Sequence, residues 1–243
     1  MHRLYPDLSA PLAPGEITIT GDEAHHAARV RRLAQGDAVD LLDGEGGVAR
    51  ARIVSLGKTG RDGWQLVVAV ESVARAEPVR PIVNVASAMP KGPRLAELID
   101  GLSQAGAAAW RPLLTDRGER ERCPVERLER VAREASKQSG RAWTMRIEPP
   151  ITFEESLRAT GVIVADASGE PYTRARPPGS FSPAPGSDDL RLLIGAEGGW
   201  TADELRRARA AGARVCRFGP HVMRIETAAV VACAIMLDAD RAD

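Results

Sequence analysis

The sequence is poor in the residues that build disulfide frameworks and metal centres. Its three cysteines, Cys123, Cys216 and Cys233, are odd in number and widely separated, which argues against a disulfide scaffold and a thiolate metal site. Four histidines, two of them the adjacent His25 and His26, show no ligand spacing of the HExxH kind, so no metal is expected. Bulk charge is missing too. The 33 Lys and Arg residues balance 33 Asp and Glu, so a nucleic-acid surface would have to come from basic residues gathered locally. No apolar run reaches the ~18 residues of a membrane span. "MHRLYPDL" lacks the charged-then-apolar order of a secretory signal, so no membrane association and a cytoplasmic location are expected. What is present is a chain of 243 residues, 44% hydrophobic and 27% charged, long enough for one large domain or two ordinary ones with real cores.

Two rhythms divide the chain. Residues 1–75 read as short strands and turns: "EITIT", then the basic helical stretch "DEAHHAARVRRL", then "DAVDLLD", a turn at "GEGG", the alternating "VARARIVSL", and "WQLVVAVESV". Short strands at this spacing predict a small β-barrel. Two prolines among charges mark residues 76–81 as a linker. From residue 82 to 243, strands such as "IVNVASAM", "WRPLL" and "GVIVADA" alternate with helices such as "PRLAELIDGLSQAGA" and "VERLERVAREASKQSG". That alternation predicts an α/β domain with a parallel, helix-covered sheet. Residues 168–190 interrupt it with five prolines, three glycines and four serines. They read as a surface loop, either a tolerated insertion or a lid over the glycine loop that follows.

That glycine loop lies in "LLIGAEGGWTADEL", residues 192–205. An apolar strand runs into Gly195, Glu197, Gly198 and Gly199, and a helix starts at once, with Thr201 and Glu204 spaced as a capping box. The helix ends at Gly212, a natural left-handed stop. In open parallel sheets such crossings border ligands. Phosphate is disfavoured, because Glu197 and Trp200 stand where a phosphate loop supplies lysine and a hydroxyl residue. A neutral or cationic ligand with a base edge, and a purely structural tight turn, both stay open. Next, "ARVCRFGPHVMRIETAAVVACAIML" gives a strand, a second glycine-bearing loop and a helix from about Glu226, apolar on nearly every side. Core and a partner subunit would cover such a helix. Arg224 and Glu226 sit among Val222, Met223 and Ile225. They are either a mutual or helix-end ion pair or a functional couple.

Together, "LLIGAEGGWTADEL" and "FGPHVMRIETAAVVA" resemble the paired C-terminal motifs of the ribosomal RNA small subunit methyltransferase E family, of the SPOUT class. "GDEAHHAARVRRLAQGDAV", "KGPR" and "REASKQSGR" resemble the family's other signatures, in order, so the likeness spans essentially the whole chain. The resemblance implies a PUA-like, RNA-binding barrel over 1–75 and a SPOUT domain with a C-terminal trefoil knot over 82–243. It further implies a homodimer, S-adenosyl-L-methionine as methyl donor, and N3 of a uridine in small-subunit (16S) ribosomal RNA as acceptor. Carried over by position, the cofactor pocket comprises three loops: Ala165 and Asp166; Leu193, Ile194, Gly195, Glu197, Gly198 and Gly199; and Phe218, Gly219, Met223, Arg224 and Thr227. The chain departs from the family pattern at Ala196, where proline is usual, at "DGLSQAGA" (100–107) and at "TDRGERER" (115–122).

Methylation at N3 needs the base unpaired or extruded, because N3 lies on the pairing edge. It also needs stabilisation of negative charge developing on the ring carbonyls. Arg224 is the candidate for that positive potential, with Glu226 or Glu197 orienting it. For RNA contact the candidates are Arg3, Arg29, Arg31 and Arg32 on the barrel, Lys91, Arg94, Arg117 and Arg120 at strand-to-helix crossings, and Arg141 after the long helix. Interleaved Glu126, Glu129 and Glu134 make a merely solvated face the favoured reading of that helix. A non-catalytic RNA-binding protein with a degenerate methyltransferase fold is the rival function, and a phosphate-binding nucleotide enzyme a second.

Overall fold

Alternation along "VARARIVSL" turns Ala49, Ala51 and Ile53 inward and Arg50 and Arg52 outward, the period-2 pattern of a strand packed on one face. The strand belongs to a computed structural model that describes residues 2–7, 11–60, 63–118, 122–173 and 189–240. Two compact units make up the chain: Met1–Pro78 with Ser136–Thr144, and Val79–Ala135 with Met145–Asp243.

In the first unit, strands β1 (His2–Leu4), β2 (Gly15–Thr20), β3 (Ala38–Leu42), β4 (Gly47–Thr59) and β5 (Gly63–Arg75) form one sheet ordered β1-β3-β4-β5-β2. Register shifts in β4 against β5 bend the long pair, and the sheet encloses Leu4, Leu41, Ile53, Leu66 and Val68. The basic stretch is not one regular helix. A short α1 (Asp22–His25) runs into a π-helical turn, His26–Val30, closed by Arg31 N–H donating to the His26 carbonyl at 3.0 Å. Gly21, with φ 75, supplies no side-chain cap, and Arg32, with φ 52, ends the helix. Ala24, Ala27 and Leu33 alone anchor it to the core, too narrow a stripe to hold a longer helix.

Residues 136–144 join this unit from far along the chain. Gly46 N–H donates to the Ala142 carbonyl and Thr144 N–H to the Gly44 carbonyl, each at 2.8 Å. The sequence reading puts the whole of 82–243 in one domain, because nothing local marks the return. It rests on Gly44 and Gly46, both at positive φ, and on the Trp143 ring. A Cβ on Gly46 would lie 2.3 Å from that ring.

The second unit runs β6 (Ile82–Ser87), α2 (Arg94–Ala105), β7 (Ala109–Leu114), α3 (Val125–Ser139, its last turn counted with the first unit), β8 (Arg146–Ile147), β9 (Ile151–Thr152) and α4 (Phe153–Ser156). Then follow β10 (Val162–Pro171), β11 (Asp189–Ile194), α5 (Ala202–Ala210), β12 (Arg214–Arg217) and α6 (Ile225–Ala239). The sheet is parallel throughout, ordered β12-β10-β11-β6-β7-β8, with β9 also on β7. Leu192 and Ile194 face one core with Leu98, Leu128 and Met236 from α2, α3 and α6. Leu193 faces another with Phe153 and Ala208 from α4 and α5. Among the described residues no helix is long and apolar enough to cross a membrane.

The strands that carry the two glycine loops, β11 and β12, are separated by β10. One detail differs from the sequence reading. The segment read as a loop from 168 begins as strand: β10 bulges after Ala165 and regains pairing with β12 at Glu170 and Pro171. A Cβ on Gly169 would lie 2.5 Å from the Val215 carbonyl oxygen, so only glycine lets the bulge close on that strand. The rest of that proline-rich stretch, residues 174–188, lies outside the described residues.

Candidate functional site

Strand register builds the site. Ala165 pairs with Ile194 of β11 and with Cys216 of β12. The β10 bulge that begins after Ala165 and the loops that leave β11 at Gly195 and β12 at Phe218 therefore come level across three adjacent parallel strands. These are the three segments singled out from the sequence, gathered at the edge where open parallel sheets bind ligands.

The middle loop is held on several sides. Thr201 caps α5: Glu204 N–H donates to Thr201 Oγ1 at 3.1 Å, and Thr201 N–H donates to Glu204 Oε2 at 2.7 Å. Glu204 is 0% exposed, and its other oxygen accepts from Asp116 N–H, after β7, at 3.0 Å. Trp200 Nε1–H donates to the Ala165 carbonyl at 2.9 Å, tying the middle loop to the first. A Cβ on Gly195 would lie 2.9 Å from the Trp200 ring, so Gly195 is glycine because an indole rests on it. Gly199, at φ +67, is glycine for its backbone. Gly198 meets neither demand; the nearest atom to a Cβ there is Arg117 Cδ at 3.4 Å. The turn itself thus accounts for Gly195 and Gly199 but not for Gly198.

Arg94 and Arg117, read from sequence as RNA contacts, both reach this loop. Arg94 Nη1 pairs with Glu197 Oε1 at 2.7 Å. Arg117 Nη1 donates to the Gly198 carbonyl at 2.5 Å and to the Trp200 carbonyl at 3.5 Å. Asp166 Oδ1 accepts from Ser168 N–H at 2.9 Å and from its hydroxyl at 2.5 Å, which shapes the β10 bulge.

In the third loop, Phe218 is buried and stacks on Tyr172, with ring centroids 4.9 Å apart. Gly219 is exposed, and Met223 Cε lies 3.7 Å from where its Cβ would be. An open cleft of about 490 Å³ is lined by Pro171, Tyr172, Arg217, Phe218, Gly219, Pro220 and Ile235. It borders this loop and not residues 193–199. Tyr172 donates to Asp240 Oδ2 at 2.5 Å; burial first, and that hydrogen bond second, push its phenol well above the ordinary range.

Arg224 is the N-cap of α6 and is exposed; Glu226 lies in the first helical turn and Thr227 is exposed beside it. The ion pair weighed from sequence is absent among the described residues: no carboxylate pairs with Arg224. Glu226 Oε2 is buried without a hydrogen-bond partner. That orphan acceptor, the open Gly219 turn and the level strand ends suit a polar nucleoside-bearing ligand.

The remaining basic candidates lie elsewhere. Arg3 donates to the Gly140 carbonyl at 3.0 Å, and Arg31 Nε to His26 Nε2 at 3.3 Å. Arg29, Arg32 and Lys91 are exposed and Arg141 is half-buried. Arg120 falls outside the described residues. Sequence reasoning missed Trp200 and Asp116 and saw in Glu204 only a helix cap. The tryptophan following a glycine run was the available signal for the first.

Comparison with known proteins agrees with this architecture. A family model described as an RNA methyltransferase domain matches residues 77–237, and one described as an RNA methyltransferase PUA domain matches residues 19–60. Proteins named ribosomal RNA small subunit methyltransferase E are similar in sequence. That of Synechocystis sp. is 32% identical, covering 90% of this chain and 71% of its own length. That of Mycobacterium bovis is 34% identical, covering 88% and 83%. The fold is also that of the Neisseria gonorrhoeae ribosomal RNA small subunit methyltransferase E solved bound to S-adenosyl methionine. That structure has a TM-score of 0.74 and 22% identity, with 98% of this chain and 97% of the other covered. A five-stranded first unit, a parallel α/β unit, the family-model match and the sequence relatives converge: the chain belongs to the RNA methyltransferase family whose curated members are named ribosomal RNA small subunit methyltransferase E.

Proposed function

We propose that this protein transfers a methyl group from S-adenosylmethionine to N3 of a uridine in small-subunit ribosomal RNA. One observation supports the reading: the three segments that the resemblance gives to the cofactor come level at the β10 bulge and at the ends of β11 and β12. When bound, the cofactor supplies an electrophilic methyl group. Backbone of the Gly195–Gly199 turn and of Phe218–Gly219 would hold it, with Glu226 Oε2 as a buried acceptor in need of a donor. Arg224, exposed and without an ion-pair partner among the described residues, would lend positive potential to the uracil carbonyls as the N3 proton passes to solvent water and S-adenosylhomocysteine departs. Holding N3 in line with the methyl carbon provides the larger part of the acceleration.

Exposed Arg29, Arg31 and Arg32 on the first unit would meet phosphates, making affinity for RNA fall steeply with salt. A homodimer is part of the reading. Val222 is 90% exposed in the loop before α6, and α6 carries half-buried Val231. The test is mass mapping of small-subunit RNA after incubation with the protein and S-adenosylmethionine. A methyl group on uridine N3 supports the proposal, and Arg224→Ala should lower the rate at saturating substrates by about a hundredfold. Unmodified RNA, or an undiminished Arg224→Ala rate, would overturn the corresponding part.

A further inference from the structure

We propose that Arg117 is a positioning residue for the cofactor side of the reaction, not a phosphate contact. This rests on the Gly195–Gly199 turn being cofactor backbone, as proposed above. Arg117 stands in the short loop after β7, and its Nη1 donates to the carbonyls of Gly198 and Trp200 at 2.5 and 3.5 Å. Those carbonyls flank Gly199, whose left-handed φ of +67 turns the chain, so one guanidinium clamps both ends of the reversal. A charge-assisted donor on a peptide oxygen is among the stronger hydrogen bonds available to a turn. The Arg117 stem also lies along Gly198, with Cδ and Cβ 3.4 and 3.8 Å from where a Cβ would be.

The neighbouring residue makes the clamp firm. Asp116 N–H donates to buried Glu204 at 3.0 Å, and Asp116 Oδ2 lies 3.4 Å from Thr201 Oγ1 and 3.5 Å from Arg207 Nη2. The loop after β7 is therefore bonded to both the turn and the first residues of α5. From the opposite side, Arg94 pairs with Glu197; both partners are partly exposed, so this second tether is the weaker one. A phosphate approaching Arg117 would compete for the nitrogen that holds Gly198. Arg117, an RNA-contact candidate in the sequence reading, thus acts here on the shape of the cofactor turn.

The test compares the full-length protein with Arg117→Ala and Arg117→Lys in three readouts: hydrogen exchange of the amides of 195–200, calorimetric Kd for S-adenosylhomocysteine, and the salt dependence of RNA affinity. For Arg117→Ala, exchange should quicken and Kd should weaken, each by about tenfold, a modest charge-assisted bond. The activity loss should concentrate in KM for S-adenosylmethionine rather than kcat. Arg117→Lys, which retains a cationic donor, should recover part of both. The salt slope should not change. Unchanged exchange and Kd would overturn the proposal, as would a salt slope reduced by about one with the turn undisturbed. Should the wild-type protein itself fail to bind S-adenosylhomocysteine, the functional reading falls. The exchange comparison would then still decide the role of Arg117: quickened supports the clamp, unchanged overturns it.

Discussion

Glu204 and Asp116 are joined by a hydrogen bond of 3.0 Å from the Asp116 amide to a carboxylate that is 0% exposed. The same carboxylate closes the capping box of α5 through Thr201 N–H. One buried side chain thus satisfies amides in two loops, and neither amide has another acceptor among the described residues. Glu204→Ala should destabilise the protein by about 3 kcal/mol, since it strands two donors and removes a cap. Urea denaturation measures the loss. The chain holds a control: Thr152 and Glu155 form the same box at α4 on the surface. There the Thr152 hydrogen bonds hold the Glu155 carboxyl below its ordinary range, and Glu155→Ala should cost distinctly less.

Glycines at 195 and 199 should respond to alanine in different ways. At Gly195 the new methyl would lie 2.9 Å from the Trp200 ring, forcing the indole off the Ala165 carbonyl that it bonds at 2.9 Å. An overpacking cost of about 2 kcal/mol and a disturbed cofactor affinity are expected. At Gly199 nothing crowds the site, and only the left-handed backbone resists, at about 1 kcal/mol. Adding Trp200→Ala to Gly195→Ala should relieve most of the first penalty and none of the second. A double-mutant cycle on unfolding free energy separates the two causes.

Periodicity made β6, β11 and α2 legible, because each buries one face or both against a continuous core, and such burial repeats along the chain. The capping box at Thr201 was legible for the same local reason. What escaped depends on residues that meet only after folding. Nothing beside "VADA" says that β10 will insert between β11 and β12, and nothing beside Trp143 says that it will return to Gly46. The glycine turn was recognised from its motif, but the tasks of its glycines were not, because Trp200 and Arg117 impose them from outside the turn. Arg94 and Arg117 show the limit from the other direction. Position at a crossing does not announce their partners, Glu197 and the Gly198 carbonyl, which lie far along the chain.

Alkaline pH should expose the state of Tyr172. Burial and the Asp240 hydrogen bond raise its phenol pKa in the folded chain, so the folded state retains a proton that the unfolded chain releases near pH 10. The stability this provides is fully present below that value and declines as pH rises above it, by up to ~1.4 kcal/mol per pH unit. Tyr172→Phe keeps the stack on Phe218 and removes the ionisable group. It should cost about 1 kcal/mol at neutral pH and flatten the decline above pH 10. An equal alkaline slope in both proteins would assign the decline to other groups.

Trp143 should act as a staple for the first unit. Its Nε1–H donates to the Ala76 carbonyl at 2.9 Å, its ring lies where a Gly46 side chain would be, and the Arg75 guanidinium sits 4.7 Å from the ring centroid. These contacts fix residues 136–144 against a turn and a strand end that precede them by most of a domain in sequence. Trp143→Ala removes all three and should cost about 3 kcal/mol. Trp143→Phe retains ring packing and cation contact and should cost about 1 kcal/mol for the lost donor. Gly46→Ala attacks the same joint from the other side, because its methyl would overlap the indole at 2.3 Å. Hydrogen exchange should show the effect as faster exchange at Gly46 and Thr144, whose amides bond across the joint. The amide of Ala88, bonded to the Ile194 carbonyl in the second unit, is the internal reference, and equal acceleration there would mean global destabilisation instead of a local staple.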